Sequence, residues 1–328
     1  MLTVKENLAE VMKKDGHPDR FVKGWEFVNC VFPTSYYMGD YPLPGHPGNG
    51  YDMYGVYWSL PEGQMGAFPV HDDEHRLVKD ITEWQSVVKR PFVIEDPGYW
   101  GFLNSFRQYT NTENQYLAAL HPQGLFERLH ALMGMEDCLC NFYEEPDEMK
   151  ALIEFITDVD LEFAKVMIER LGIEAVVSHD DWGSTKNSFL SPEMFDEFLL
   201  PAYKKIYGYY KDNGILIIHH NDGYAANLIP EMIEMGIDIW QGVIPENDLE
   251  KCLKAADGKL TLMGEIETRK LDIPGWTPEM VAEEVERACR KGTKNNFIPA
   301  LTAGTPGSAF GVHEQVDKEI DRMSSILF

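Results

Sequence analysis

The sequence predicts an α/β protein folded as a (β/α)8 TIM barrel, with a cap segment rich in glycine, proline and aromatic residues near its N-terminus. Three observations carry this. Short apolar runs alternate five times with long amphipathic runs from residue 174 onward, which implies a parallel sheet covered by helices. The glycine-rich nucleotide loop of an open doubly wound sheet is missing: PGSAFG (306–311) is not G-x-G-x-x-G, and no Walker A pattern occurs. A length of 328 residues, 44% of them hydrophobic, suits one barrel with a large core. The chain is therefore read as a single barrel domain spanning 1–328.

The elements follow in order. Residues 4–14 read as a helix and GWEFVNCVF (24–32) as a strand. Residues 33–69 are crowded with Gly, Pro and aromatic residues and show no helical period. A loop this long is usually functional, and the segment is expected to cap the barrel mouth, with a surface β-excursion as the alternative. HRLVKDITEWQSVV (75–88) returns to helix, YLAALHP (116–122) to strand, and 123–143 to one or two helices. One long helix is expected over 145–172, ended by Gly172. After the strand at 174–181, the run 191–214 has Ser191 as N-cap and Pro192 at its first position, and Pro201 should kink or split it. Strands at 214–222, 237–243, 259–266 and 295–301 alternate with helices at 225–236, 247–258 (cap Asn247), 277–292 (cap Thr277) and 312–328.

Charge narrows the partners. Twenty-nine basic against 54 acidic residues give −25, so phosphate backbones and anionic lipid are repelled and neither nucleic acid nor a membrane surface is expected. The five cysteines are odd in number and irregularly spaced, which fits reduced thiols in the cytoplasm better than a disulfide framework. No signal-peptide core is seen at the N-terminus, and no stretch reaches the roughly 18 apolar residues of a membrane span.

In a barrel, reactive residues gather where strands end. The strand at 174–181 delivers Ser178, His179, Asp180, Asp181 and Trp182; that at 214–222 delivers His219, His220, Asn221 and Asp222. The next strands deliver Trp240 and Gln241, then Gly264, Glu265 and Glu267, then Thr302 and Thr305. Side chains alternate along a strand, so His220 and Asp222 share one face and His219 and Asn221 the other. His219 is read as a core histidine, His220 as a functional one. His220 and Asp222 are candidate ligands for zinc or another divalent ion, with Asp180, Asp181 or Glu265 supplying a third. The same groups can serve as acid and base without metal. Sequence does not separate Asp180 from Asp181.

From DDWGSTKNSFLSPEMFDEFLLPAYKKI onward, through IIHHNDG, EMIEMGIDIWQGV and LTLMGEIETRKL, the chain resembles the uroporphyrinogen decarboxylase superfamily, and within it the branch of corrinoid-dependent methyltransferases. GYDMYGVYW and GLFERLHALMGMEDCLCNFYEEPDEM carry the likeness upstream, so that it spans roughly 50–325. The resemblance implies a (β/α)8 barrel. Two departures refine it. The decarboxylases carry an arginine-rich M-R-Q-A-G-R segment that grips substrate carboxylates; the comparable place here reads FVNCVFPTSYYMG, and porphyrinogen decarboxylation is not expected. The thiol-methylating members hold zinc through His-x-Cys-Gly and a later cysteine; here His220, Asn221, Asp222 and Gly223 stand in the first pattern, and PALTAGTPGS has no cysteine. A harder, oxygen-containing donor set suits polarising an ether oxygen. The resemblance thus implies an O-demethylase-type methyltransferase that passes the methyl group of a small molecule, such as a methoxyarene, to a separate corrinoid protein, since the chain has no D-x-H-x-x-G cobalamin pattern. Asp180, Asp181, Glu265 and Gln241 are the candidate catalytic groups, and zinc is the expected metal. The alternatives are a metal-free lyase or decarboxylase for a small carboxylic acid, with Arg269 as its cation, and a non-catalytic barrel that docks a corrinoid protein.

Overall fold

Seven parallel strands form the central sheet in the computed structural model, which describes residues 1–33, 39–42, 46–62, 66–121, 123–304 and 307–328. They are β1 (Val28–Val31), β5 (Tyr116–His121), β6 (Ala175–His179), β7 (Leu216–His220), β8 (Ile239–Val243), β9 (Thr261–Ile266) and β10 (Phe297–Leu301), neighbouring one another in that order. The sheet curls into a ring: Gly24 N donates to Pro299 O at 3.3 Å, joining the residues before β1 to β10. Val28, Ala118, Ala175, Val177, Ile218, Ile239, Met263, Ile298 and Ala300 fill its interior, while the outward faces pack under the helices. The TIM-barrel class is as expected, realised with seven hydrogen-bonded strands among the described residues.

Helix Val4–Val11 closes the N-terminal end. Thr3 and Glu6 form a reciprocal capping box that fixes its start, and Leu8 and Val11 enter the barrel core. The opposite end, where the strands finish, stays open. The 33–69 segment includes an antiparallel excursion of β2 (Gly48–Tyr51), β3 (Tyr57–Leu60) and β4 (Phe68–Pro69), tied by Asp52 to Arg128 of helix Leu125–Met133. Part of the 33–69 segment is therefore a small sheet, and Phe32 and Gly66 at its margins line the mouth; residues 34–38, 43–45 and 63–65 lie outside the described residues.

Several expected elements shift, for local reasons. The 191–214 run splits at Leu199 into Pro192–Phe198 and Leu200–Asp212, because Pro201 has no N–H to continue the first ladder. The 123–143 run breaks at Gly134, whose φ of +93° only glycine adopts readily. Only the second half of the 75–88 run is helical, as a 3-10 turn at Ile81–Glu83 followed by an α-helical turn at Trp84–Val87: Asp72 and Asp80 take up the N–H groups of Glu74, His75 and Thr82, which holds the preceding backbone in turns. Asn247 does not cap the next helix; its Oδ1 accepts from Ala225 N and Ala226 N at 2.9 and 3.0 Å, tying two loops together. Among the described residues, no helix is long and apolar enough to cross a membrane.

Candidate metal centre at the barrel mouth

Alternation along β6 and β7 sends His179 and Asp181, and His220 and Asp222, to the inside of the ring. All four line a cavity of ≈ 510 Å³ at the C-terminal ends of the strands. Ligand atoms of His179, Asp181 and His220 lie within 4.8 Å of one another. The two imidazole rings are 4.5 Å apart between centroids, and His220 Nε2 is 4.0 Å from Asp181 Oδ1.

Each histidine is held from behind. Gln241 spends its amide N–H groups on the carbonyls of Leu301 (3.3 Å) and Ala303 (3.1 Å), so its Oε1 is left to accept from His220 Nδ1. That fixes the His220 proton on Nδ1 and leaves the Nε2 lone pair facing Asp181 and the cavity. Burial, with the neighbouring His179, holds His220 down to about 4, so it is neutral near pH 7, as a ligand must be. Gly304 seals the other side of the ring: a Cβ there would sit 2.9 Å from His220 Cε1. His179 Nδ1 pairs with Glu127 Oε2 at 2.9 Å, which frees its Nε2. Enclosure alone would lower His179, but the Glu127 carboxylate outweighs it and raises the ring to about 10, so a metal bound at its Nε2 must displace a proton there, which His220 does not carry. Carboxylate or amide behind histidine, with a further carboxylate alongside, is the arrangement that orients imidazoles on a metal. Two nitrogens and one oxygen, with the cavity as the open side, fit a catalytic zinc. Cys30 also lines the cavity, where burial pushes its thiol up to about 12, but it lies outside the cluster of His179, Asp181 and His220.

Other expected residues lie elsewhere. Asp222 is on the cavity wall but outside the three-residue cluster; its recessed position and the adjacent Asp181 push it up to about 6. Asp180 points out of the ring. Its carboxylate accepts from Phe126 N (3.0 Å), Glu127 N (2.7 Å), Trp182 Nε1 (2.8 Å) and Tyr203 OH, and so caps helix Leu125–Met133. Glu265 also leaves the cavity. Gly264 (φ +149°) and Glu265 itself (φ +69°) break the alternation of β9 and turn the carboxylate outward to Arg287 (2.6 Å) and Lys291 (2.9 Å). Glu267 is bound by Arg269 and Lys270. His219 is buried against Trp182, with Tyr207 OH 2.7 Å from its Nδ1. Thr302 hydrogen-bonds Thr268, and Thr305 lies outside the described residues. Glu127 was not legible beforehand: its place in the first turn of a helix after β5 looks like any acidic residue stabilising a helix start.

The supporting shell has a measurable consequence. Gln241→Leu leaves every ligand in place but frees the His220 ring and its tautomer. Metal affinity is expected to fall by about 10–100-fold, read by chelator competition, with folding stability changed far less.

Comparison with known proteins places this geometry. The uroporphyrinogen decarboxylase (URO-D) family matches residues 126–309. Uroporphyrinogen decarboxylase of Nocardia farcinica is 26% identical over 187 residues, 56% of this chain and 48% of that one. Methylated-thiol--coenzyme M methyltransferase of Methanosarcina mazei is 24% identical over 163 residues, 49% of this chain and 42% of that one. The chain thus spans about half the length of the curated relatives it matches. A solved methyltransferase from Methanosarcina mazei superposes with a TM-score of 0.69 over 98% of this chain and 99% of that one, at 13% identity, and so has the same fold. With the family matched across the strands that carry His179, Asp181 and His220, the chain belongs to the uroporphyrinogen decarboxylase family.

Proposed function

We propose that this protein is the methyl-donor component of a corrinoid-dependent system, moving the methyl group of an O-methyl donor to the cobalt of a separate corrinoid protein. The observation that carries the reading is the pair of histidines, each pinned at Nδ1 by Gln241 or Glu127, converging with Asp181 on an open cavity. A methyltransferase as structural neighbour and a methylated-thiol methyltransferase among the relatives support the reaction class. Zinc held by His179, Asp181 and His220 would supply Lewis acidity at the donor's ether oxygen.

The chain's own residues do the rest. Gln241 and Glu127 keep the two rings oriented. Leu120, Val177 and Trp25 present an apolar wall that keeps water from the donor's methyl end. The O–CH3 bond breaks with its electron pair left on oxygen, which takes up a proton, and the methyl group bonds to the reduced cobalt. The lyase alternative needs a cation for its substrate carboxylate. Arg269 is instead held by Glu246 (3.0 Å) and Glu267 (2.6 Å), and no lysine or arginine lines the cavity among the described residues.

The test is methylation of reduced cobalamin, or of a purified corrinoid protein, by zinc-supplemented protein across a panel of methoxyarenes and methylamines. Turnover confined to O-methyl donors is expected. Failure across the whole panel sinks the reading.

A further inference from the structure

We infer that the cavity selects its methyl donor by charge, admitting an uncharged methoxylated ring and rejecting the same ring bearing a carboxylate. This rests on the methyl-transfer reading and names the donor class for the same site.

The cavity has two unlike sides. On the β1 side stand Trp25, Cys30 and Phe32; around the ring, β1 lies opposite β7, which carries His220. Aromatic faces opposite a metal-binding cluster suit a flat ring whose ether oxygen reaches toward His220. The polar side is acidic: Asp181 and Asp222 end β6 and β7, and Asp272 stands at the rim, where its carboxylate accepts from Ala309 N (2.6 Å) and Phe310 N (2.7 Å).

No lysine or arginine answers these charges on the wall; the His179 imidazole is paired with Glu127 (2.9 Å), and a metal held beside it would meet the ether end of the donor rather than a carboxylate across the ring. Among the described lining residues none is lysine or arginine. Residues 34–38, 43–45, 63–65, 122 and 305–306 include neither in the sequence, and nor does any residue from 33 to 69. Arg269 and Lys270, beside lining residue Thr268, are both bound to Glu267, at 2.6 and 2.5 Å. A donor carboxylate entering here would lose water, face Asp222 and Asp272, and find no guanidinium or ammonium in return. A neutral ring meets the apolar wall at no such cost.

Isothermal titration calorimetry on the purified protein would compare 2-methoxyphenol with 4-hydroxy-3-methoxybenzoate. The neutral ring should bind at least about tenfold more tightly, and Asp222→Asn should narrow the ratio of the two Kd values severalfold by removing one facing charge. Equal or tighter binding of the benzoate overturns the inference, as does binding of neither ring at millimolar concentration or an unchanged ratio in Asp222→Asn. A clear preference for the neutral ring with no methyl transfer from it would sink the functional reading and leave the charge selection standing.

Discussion

His220→Ala is expected to carry less than about 0.1 metal ion per chain, where the unaltered protein carries about one. The reasoning starts from ligand count. Three side chains supply the donors, and a centre left with one imidazole and one carboxylate has lost a third of its bonds and the ring whose tautomer Gln241 fixes. Methyl transfer should fall at least about a hundredfold, because Lewis-acid stabilisation of the leaving oxygen is worth several kcal/mol. The adjacent residue is the control. His219 points the opposite way, stacked on Trp182 at 4.0 Å between centroids and bonded to Tyr207 and to the carbonyl of Asp180. His219→Gln should lower folding stability, since it disturbs a buried network, and still bind about one metal ion. Elemental analysis of the three proteins reads both outcomes and names the metal. Full metal content in His220→Ala, or its loss only in the His219 variant, would refute the assignment.

That contrast between neighbouring histidines shows what a sequence discloses. Strand alternation is local, so the direction of His219 and His220 follows once β7 is recognised. The strand positions were legible for the same reason, being short apolar runs between capped helices. The partition of Asp180 from Asp181 was not legible, although alternation separates them. What decides it is the start of a helix more than fifty positions upstream, whose N–H groups Asp180 receives. Glu265 misled because alternation assumes extended backbone throughout, and Gly264 with Glu265 at positive φ reverses it at the strand end. Glu127 was hidden because its partner, His179, is brought to it only by the pairing of β5 with β6. Strand alternation paired His220 with Asp222 and offered Asp181 as a further candidate; the ligand atoms that the fold gathers nearest His220 are those of Asp181 and of His179, which alternation alone did not single out, with Asp222 beside them on the cavity wall.

The second large effect is on stability, and it reaches the same site. Asp52 and Arg128 form an ion pair whose side chains are both 0% exposed, joining the β2–β3 excursion to helix Leu125–Met133. Asp52 also accepts from Gly55 N (2.9 Å), Val56 N (2.9 Å) and Trp58 Nε1 (3.0 Å), while the Arg128 guanidinium lies 4.2 Å over the Tyr54 ring. The two partners are therefore not equivalent. Arg128→Met leaves a carboxylate that still holds three donors. Asp52→Ala leaves a buried cation without its carboxylate and strips the turn at 52–58 of its acceptor, so it should be the costlier change, by about 3–5 kcal/mol against the unaltered protein. Replacing both, as Asp52→Ala with Arg128→Met, should cost less than Asp52→Ala alone, because no charge is left stranded. Urea denaturation of the four proteins completes the cycle. Additive losses would show that the pair is not coupled as its geometry demands. Glu127 precedes Arg128 on the same turn and orients His179, so metal affinity should weaken in Asp52→Ala and recover in part in the double variant. A stability loss with unaltered metal affinity would mean that the excursion braces the barrel without setting the position of its metal-binding side chains.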